Sequence, residues 1–108
     1  MDIIIQSLGF KASAHLEEFV RERVNKAVLE TDKVVRANVT LYAASESNPN
    51  NNVCEIRLEV PGNDHFVKKN SDVFEKAITD CTDTLQKVLR RAREKQLRNR
   101  HVEPELPE

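Results

Sequence analysis

The residues best suited to chemistry in this sequence are cations that cluster near its carboxyl end. Residues 87–100 contain seven Lys and Arg and a single acid, Glu94, for a local charge of +6. Residues 1–86 carry 10 Lys and Arg against 14 Asp and Glu, so this part is acidic and the formal net charge of the chain is −1. Charges within about 10 Å determine the local field in moderate salt. We therefore expect the segment to attract phosphate groups.

These cations lie at the end of a predicted helix and frame its apolar stripe. At about 100° per residue, one group falls within a sector of about 80°: Lys87, Arg91, Lys95 and Arg98. Arg90 and Arg93 lie on the opposite flank of the stripe. A helix C-terminus favours cations through its dipole, but two or three would suffice. We interpret the excess as a surface for the phosphates of structured RNA.

Other cations are expected to extend this surface. Arg23 lies at the edge of the apolar stripe of an earlier helix, and Lys26 follows about one turn later. Taken alone, Arg23 is better explained as a side chain whose aliphatic stem covers the core. If both helices pack on one sheet face, these residues and then Lys68 and Lys69 of the last strand would lengthen the strip. Aromatic residues are few and mostly at core positions, so base stacking is not expected.

The sequence shows no pattern typical of catalysis or metal binding. His15, His65 and His101 fall at a helix start, in a strand and in the tail, without the spacing of metal ligands. The chain has only two glycines, which excludes a phosphate-binding loop and a dinucleotide fingerprint. Cys54 and Cys81 occupy apolar positions and are expected to be buried and reduced. We therefore expect no enzymatic activity, no metal and no cofactor.

The apolar periodicity predicts an element order of βαβββα. The strands are predicted at about residues 2–8, 33–44, 54–60 and 65–69, and the helices at about 14–30 and 73–98. Three consecutive isoleucines, Ile3 to Ile5, predict that the first strand is buried on both faces. Ser13 is the predicted N-cap of the first helix, and residues 45–52 have the composition of a hairpin loop. Each helix has one apolar stripe, so we expect an α+β domain of two layers, a four-stranded sheet with both helices packed side by side on one face.

Length and hydropathy indicate one domain in the cytoplasm. A chain of 108 residues suits a single compact domain, which we place at residues 1–100, followed by a short acidic tail without regular structure at 101–108. No apolar run approaches the roughly 20 residues of a membrane span. Residues 1–10 lack the basic start and cleavage site of a signal peptide.

With this element order, the sequence resembles the ribosome hibernation-promoting factor and ribosome-associated inhibitor family, long known also as modulators of an alternative sigma factor. The resemblance extends over nearly the whole chain and rests on four segments: Asp2 to Ile5, Leu16 to Lys26, Pro61-Gly62 and Asp83 to Lys95. The last segment is the most specific. The resemblance implies a domain similar to double-stranded-RNA-binding folds that occupies the decoding region of the small ribosomal subunit in slow growth or stationary phase. There it would block tRNA and mRNA.

The basic positions of the family correspond to six residues of this chain: Arg23, Lys26, Lys87, Arg91, Arg93 and Lys95. Helix geometry adds Arg90 and Arg98. Their implied role is RNA binding through pairing with ribosomal RNA phosphates, to which Arg can bind with two parallel hydrogen bonds. The expected partners are the small ribosomal subunit and its RNA, with no membrane and no small-molecule substrate, and the free chain is expected to be monomeric.

Two other functions remain open at this point. The domain could be a regulatory protein-binding module that acts on transcription, with the basic helix on an acidic partner, or a generic binder of double-stranded RNA. We expect a single domain, without the second domain with which long family members pair ribosomes. Whether it pairs ribosomes, alone or with a helper protein, or inactivates single ones is therefore also open.

Overall fold

The computed structural model describes residues 1–45, 47 and 49–102, with the backbone alone for 99–102. The elements, in chain order, are β1 (Asp2–Leu8), α1 (Ala14–Ala27), a 3₁₀ turn (Glu30–Asp32), β2 (Arg36–Ala43), β3 (Asn52–Glu59), β4 (His65–Ser71) and α2 (Phe74–Val102). The predicted βαβββα order is confirmed. Of the predicted hairpin loop, Glu46 and Asn48 lie outside the described residues, and Asn52 already belongs to β3.

The four strands form one sheet in the order β1-β2-β3-β4. β1 runs parallel to β2, because α1 connects them as a crossover, whereas β2, β3 and β4 form an antiparallel meander. Apolar residues of both helices and of the sheet join in one core, including Val20 and Val24 of α1, Ile78 and Leu85 of α2, and Ile56 of β3. Both helices therefore cover the same face of the sheet, which confirms the predicted two-layer α+β architecture.

The prediction that β1 is buried on both faces is wrong. Ile3 and Ile5 pack against the core, but Ile4 and Leu8, which point to the other face, are 46% and 50% exposed. The reason is that both helices lie on one side of the sheet and β1 is an edge strand. A β-branched run indicates a strand, but it does not reveal how many layers cover that strand.

Helix α1 begins as predicted and ends earlier than predicted. The Ser13 side chain accepts a hydrogen bond from the Leu16 amide at 3.0 Å, which confirms the N-cap. Regular helix stops at Ala27 because Val28 is extended, and the chain then forms the 3₁₀ turn. At the end of that turn, Lys33 adopts a left-handed conformation with φ of 57°.

Helix α2 projects beyond the sheet at its carboxyl end. Leu89 is the last buried residue among the side chains described for this helix, and residues 94–98 are all exposed. The helix has 29 residues, which corresponds to about 43 Å at 1.5 Å per residue. It includes His101 and Val102, the first two residues of the predicted tail, while residues 103–108 lie outside the described part of the chain. The core thus ends within the first turn of the basic segment, and the described part of the segment beyond Leu89 projects from it.

The two cysteines are free and buried, as predicted. The Cys81 thiol donates to the carbonyl oxygens of Val67 at 3.4 Å and of Cys54 at 3.6 Å. Hydrogen bonding with Cys81, together with burial, raises the pKa of the Cys54 thiol well above its usual range. Both residues therefore act as apolar packing groups. Within the described residues, no helix has the length and apolar character needed to cross a membrane.

Candidate nucleic-acid interface

A groove between α1 and α2 collects cations from both helices. Lys26 lines it from α1, and Lys87, Arg90 and Arg93 line it from α2. Further along, the groove continues to Arg23. The three cations of α2 on this side are spaced three residues apart, so each lies about 60° from the next around the helix and together they span the flank that faces α1. The structure thus brings together five of the eight predicted contact residues.

The other three predicted residues lie on the outer flank of α2. Arg91, Lys95 and Arg98 are exposed, and Lys95 lines a shallow depression together with Lys33 and Pro61. Arg90 and Arg93 are on the flank expected from the sequence, but Lys87, which the helical angles grouped with the three outer residues, lines the groove instead. The reason is that Lys87 stands at the boundary between the two groups, about 60° from Arg90 and about 40° from Arg91 around the helix, and α1 packs on that side. The basic surface therefore wraps around the solvent side of α2.

Most of these cations form no ion pair. Six of the eight predicted residues form no ion pair with any residue in the described part of the chain: Lys26, Lys87, Arg90, Arg91, Lys95 and Arg98. Like charges placed close together on one helix repel each other and slightly destabilise it. A bound polyanion would reduce this repulsion between the cations, so the surface suits phosphate groups.

Arg23 is held at the edge of the groove by two residues of α2. Its Nη2 lies 2.9 Å from Oδ1 of Asp83, and its Nε donates to Oγ1 of Thr82 at 3.3 Å. The Arg23 side chain is 26% exposed and that of Asp83 is 54% exposed. The two helices are therefore joined here by a contact that water reaches from the groove.

Arg93 makes a more buried pair with the 3₁₀ turn. Its Nε donates to Oδ1 of Asp32 at 2.7 Å and its Nη2 to Oδ2 at 3.4 Å. The Asp32 side chain is only 2% exposed and also accepts a hydrogen bond from the Leu29 amide at 2.8 Å. Arg93 thus fastens α2 to the turn after α1, and so it positions the two walls of the groove.

Lys33 is a cation of this region that sequence reasoning missed. It is exposed and lines the shallow depressions beside Arg93 and Lys95 on both sides of α2. Helical and strand periodicity could not identify it, because Lys33 lies in the connection between α1 and β2. The Arg93–Asp32 pair brings its turn against the basic helix.

Lys68 does not extend the basic surface, contrary to prediction. It lies on the open face of the sheet, where its Nζ is 4.0 Å from Oε2 of Glu55. Tyr42 donates to that same carboxylate, and this hydrogen bond is the main reason why the pKa of Tyr42 is raised. Strand residues alternate between faces, so Lys68 points away from the helices while its neighbour Val67 joins the core.

Other charges on the open face also compensate each other. Glu59 accepts a hydrogen bond from Asn38 Nδ2 at 2.6 Å and lies 3.3 Å from Nη1 of Arg36. These contacts, the Asn38 bond first, lower the pKa of Glu59. Arg57 lies 3.7 Å from Asp64 and over the ring of Phe66. The open face is therefore mixed in charge, unlike the surface around α2.

The three histidines belong to three different elements. His15 is exposed near the start of α1 and His65 begins β4. The side chain of His101 lies outside the described residues. Within the part of the chain that the structure describes, no group of three His, Cys, Asp or Glu side chains is arranged to hold a metal ion.

Comparison with known proteins gives a match over most of the sequence. The model of the family described as "Sigma 54 modulation protein / S30EA ribosomal protein" matches residues 3–97. This range includes all the predicted contact residues except Arg98. No curated protein sequence matches this one at a significant level.

Two solved structures share the fold at low sequence identity. One is a ribosomal subunit interface protein from Coxiella burnetii, with a TM-score of 0.77 and 16% identity, covering 87% of this chain and 99% of that chain. The other is the N-terminal domain of Protein Y from Thermus thermophilus, with a TM-score of 0.71 and 18% identity, covering 84% of this chain and 98% of that chain. At these identities, the similarity establishes a common architecture.

Proposed function

Because this chain belongs to the Sigma 54 modulation protein / S30EA ribosomal protein family, we propose that it binds the ribosome and silences translation. In this proposal, the domain occupies the decoding region of the small ribosomal subunit when growth slows or cells are under stress, as in stationary phase. It excludes tRNA and mRNA there, and it acts in the cytoplasm without catalysis. A solved structure of the same fold is described as a ribosomal subunit interface protein, which supports the choice of partner.

The observation that carries the proposal is the set of unpaired cations around α2. Phosphates of ribosomal RNA would bind Lys26, Lys87 and Arg90 in the groove, and Arg91, Lys95 and Arg98 on the outer flank. Charge-assisted hydrogen bonds between Lys or Arg and phosphate are the stronger kind in proteins. The rigid helix presents these groups at fixed spacing, which favours structured RNA over a flexible strand.

The two paired arginines have separate roles in this proposal. Arg93 positions the groove through Asp32, and its guanidinium offers RNA the N–H groups that Asp32 does not use. Arg23 meets phosphate at the far end of the groove. The exposed ring of Phe66 lies on the open sheet face, next to Arg57, and thus away from the groove. Because stacking on bases needs an aromatic ring at the binding surface, the proposed mode of binding is contact with phosphates.

Sedimentation of the chain with ribosomes in a sucrose gradient, together with translation in vitro, tests the proposal. We expect the wild-type chain to co-sediment with ribosomes from stationary-phase cells and to inhibit translation. Replacing Lys87 and Arg90 with Gln should weaken binding by about tenfold or more per cation, because each charged hydrogen bond contributes roughly 1.5–3 kcal/mol. The matched control replaces Arg57 and Lys68, two cations of the open face, and should bind as the wild type does.

Other outcomes would favour the alternative functions. Equal weakening by the control pair would show that only net charge matters. Effective competition by unrelated duplex RNA would indicate a generic double-stranded-RNA binder. Capture of an acidic protein that persists after ribonuclease treatment, with no ribosome binding, would indicate a regulatory protein-binding module.

A further inference from the structure

Two acids pair with arginines of the groove between α1 and α2, and water reaches them to very different extents. The Asp32 side chain is 2% exposed and that of Asp83 is 54% exposed. Each carboxylate is paired with a guanidinium that could otherwise bind an RNA phosphate. The question is whether either acid can be replaced by a phosphate.

Asp32 is fixed in place. Arg93 donates two hydrogen bonds to it and the Leu29 amide donates a third. A buried carboxylate that lost these partners would remain charged and poorly solvated, which is strongly unfavourable. The Arg93–Asp32 pair therefore persists when RNA binds.

Asp83 is held far more weakly. Among the described residues, it has a single hydrogen bond, from Nη2 of Arg23 to its Oδ1 at 2.9 Å. Because half of the side chain is in water, the carboxylate can leave Arg23 and be solvated at once. A phosphate offers more acceptor oxygens to a guanidinium and can bind it with two parallel hydrogen bonds.

Arg23 does not need Asp83 to stay at the groove. Its Nε donates to Oγ1 of Thr82 at 3.3 Å, and Thr82 is 1% exposed. The Thr82 hydroxyl in turn donates to the Ile78 carbonyl oxygen at 2.9 Å. This chain of hydrogen bonds keeps the guanidinium aimed at the groove while Nη2 exchanges its partner.

We propose that Asp83 is an internal competitor for RNA phosphate at Arg23. In the free chain it neutralises Arg23, and in the complex a phosphate takes its place on Nη2. The inference rests on the proposed function, since it concerns the same groove. Its consequence is that Asp83 lowers the affinity for RNA, although it lies within the interface.

Binding of the full chain to purified small ribosomal subunits tests this inference. Asp83→Asn keeps the shape of the side chain and its acceptor oxygen but removes the charge. The matched control is Asp80→Asn, an identical charge change on the same helix at a residue that pairs with Lys76 at 3.2 Å. We expect Asp83→Asn to bind about two- to fivefold more tightly than Asp80→Asn, the size expected for releasing a partly exposed ion pair.

A second comparison assigns the effect to Arg23. In an Arg23→Gln background, Asp83→Asn should give no more gain than Asp80→Asn, because no guanidinium remains to be released. An equal gain from the two single variants, a loss of affinity with Asp83→Asn, or a gain that persists without Arg23 would each overturn the inference while leaving the proposed function standing. Absence of binding by the wild-type chain would overturn both. Equal thermal melting midpoints for the two Asn variants show that folding is not the cause.

Discussion

The guanidinium of Arg93 donates two hydrogen bonds to the carboxylate of Asp32, of 2.7 Å and 3.4 Å. The two residues are 61 positions apart in the chain, so the pair links the projecting basic end of α2 to the turn that follows α1. It also separates Arg93 from the other described cations of the basic segment, which form no ion pair with a described residue. A residue predicted as an RNA contact is thus first a determinant of the shape of the groove.

Replacing Arg93 with Met should destabilise the fold. Asp32 would remain buried with one hydrogen bond, from the Leu29 amide, and leaving a buried polar group unsatisfied costs about 1–3 kcal/mol, or more when the group is charged. Urea denaturation measures the change in the free energy of unfolding. Adding Asp32→Asn should recover part of the loss, because it removes the unpaired buried charge.

Arg91→Met is the matched control for that experiment. Arg91 is exposed and makes no ion pair with a described residue, so the change in unfolding free energy should stay within about 0.5 kcal/mol. Equal losses for the Arg91 and Arg93 variants would mean that the pair with Asp32 contributes nothing to stability.

Binding to ribosomal RNA should weaken steeply with salt. The logarithm of the binding constant falls by about 0.7–0.9 per neutralised phosphate for each unit of log salt concentration. Lys87→Gln removes one unpaired cation and should reduce this slope by about that amount. Lys76→Gln, at the other end of α2 where Lys76 pairs with Asp80, should leave the slope unchanged. A slope near zero for the wild type would contradict phosphate binding.

At position 33, replacement of Lys33 by Gly should give a more stable protein than replacement by Ala. Its φ of 57° is left-handed, a conformation that costs a residue with a Cβ roughly 1–2 kcal/mol. Both variants remove the same charge, so the difference between their free energies of unfolding reports the effect of the backbone conformation alone. The greater conformational entropy of Gly in the unfolded chain offsets part of this cost. Lys33→Gly should therefore be more stable than Lys33→Ala by about 0.5–1 kcal/mol.

The same pair of substitutions at Lys26 provides the control. Lys26 is helical, so Gly should there be less stable than Ala by about 1 kcal/mol. Thermal or urea unfolding of the four variants gives the comparison. The same sign at both positions would contradict a left-handed Lys33.

The carboxyl of Glu59 should titrate below its ordinary range, and Asn38→Ala should raise its pKa. The hydrogen bond from Asn38 is the largest cause of the lowered pKa, since it favours the charged form. The stability from this bond is present above the ordinary pKa and is lost as pH falls through the lowered folded value. A carbon NMR titration of the Glu59 side chain measures the shift. Thr40→Ala, on the same face of β2, should leave it unchanged.

Much of the architecture follows from patterns that are local in the chain. Spacings of three and four placed Val20 and Leu85 on buried helix stripes, and alternation placed Ile56 in the core. The Ser13 cap was predicted because capping is a contact between near neighbours. The helical angle alone separated Arg90 from Arg91 on the two flanks of α2, and the similarity of residues 83–95 to a known family was also readable from the sequence.

The relationships that the sequence did not reveal are contacts between distant parts of the chain. Nothing local indicates that Asp32 will bury itself against Arg93, or that Lys33 will stand beside Lys95. The sequence predicted that both helices cover one face of the sheet, but not which strand residues this leaves outside the core: Ile4 is exposed and Lys68 points away from the helices. The sequence by itself determined the elements and the cations of this protein. Tertiary packing decided which cations are paired with acids and which remain free for a phosphate, because an ion pair depends on distances in space and not on spacing along the chain.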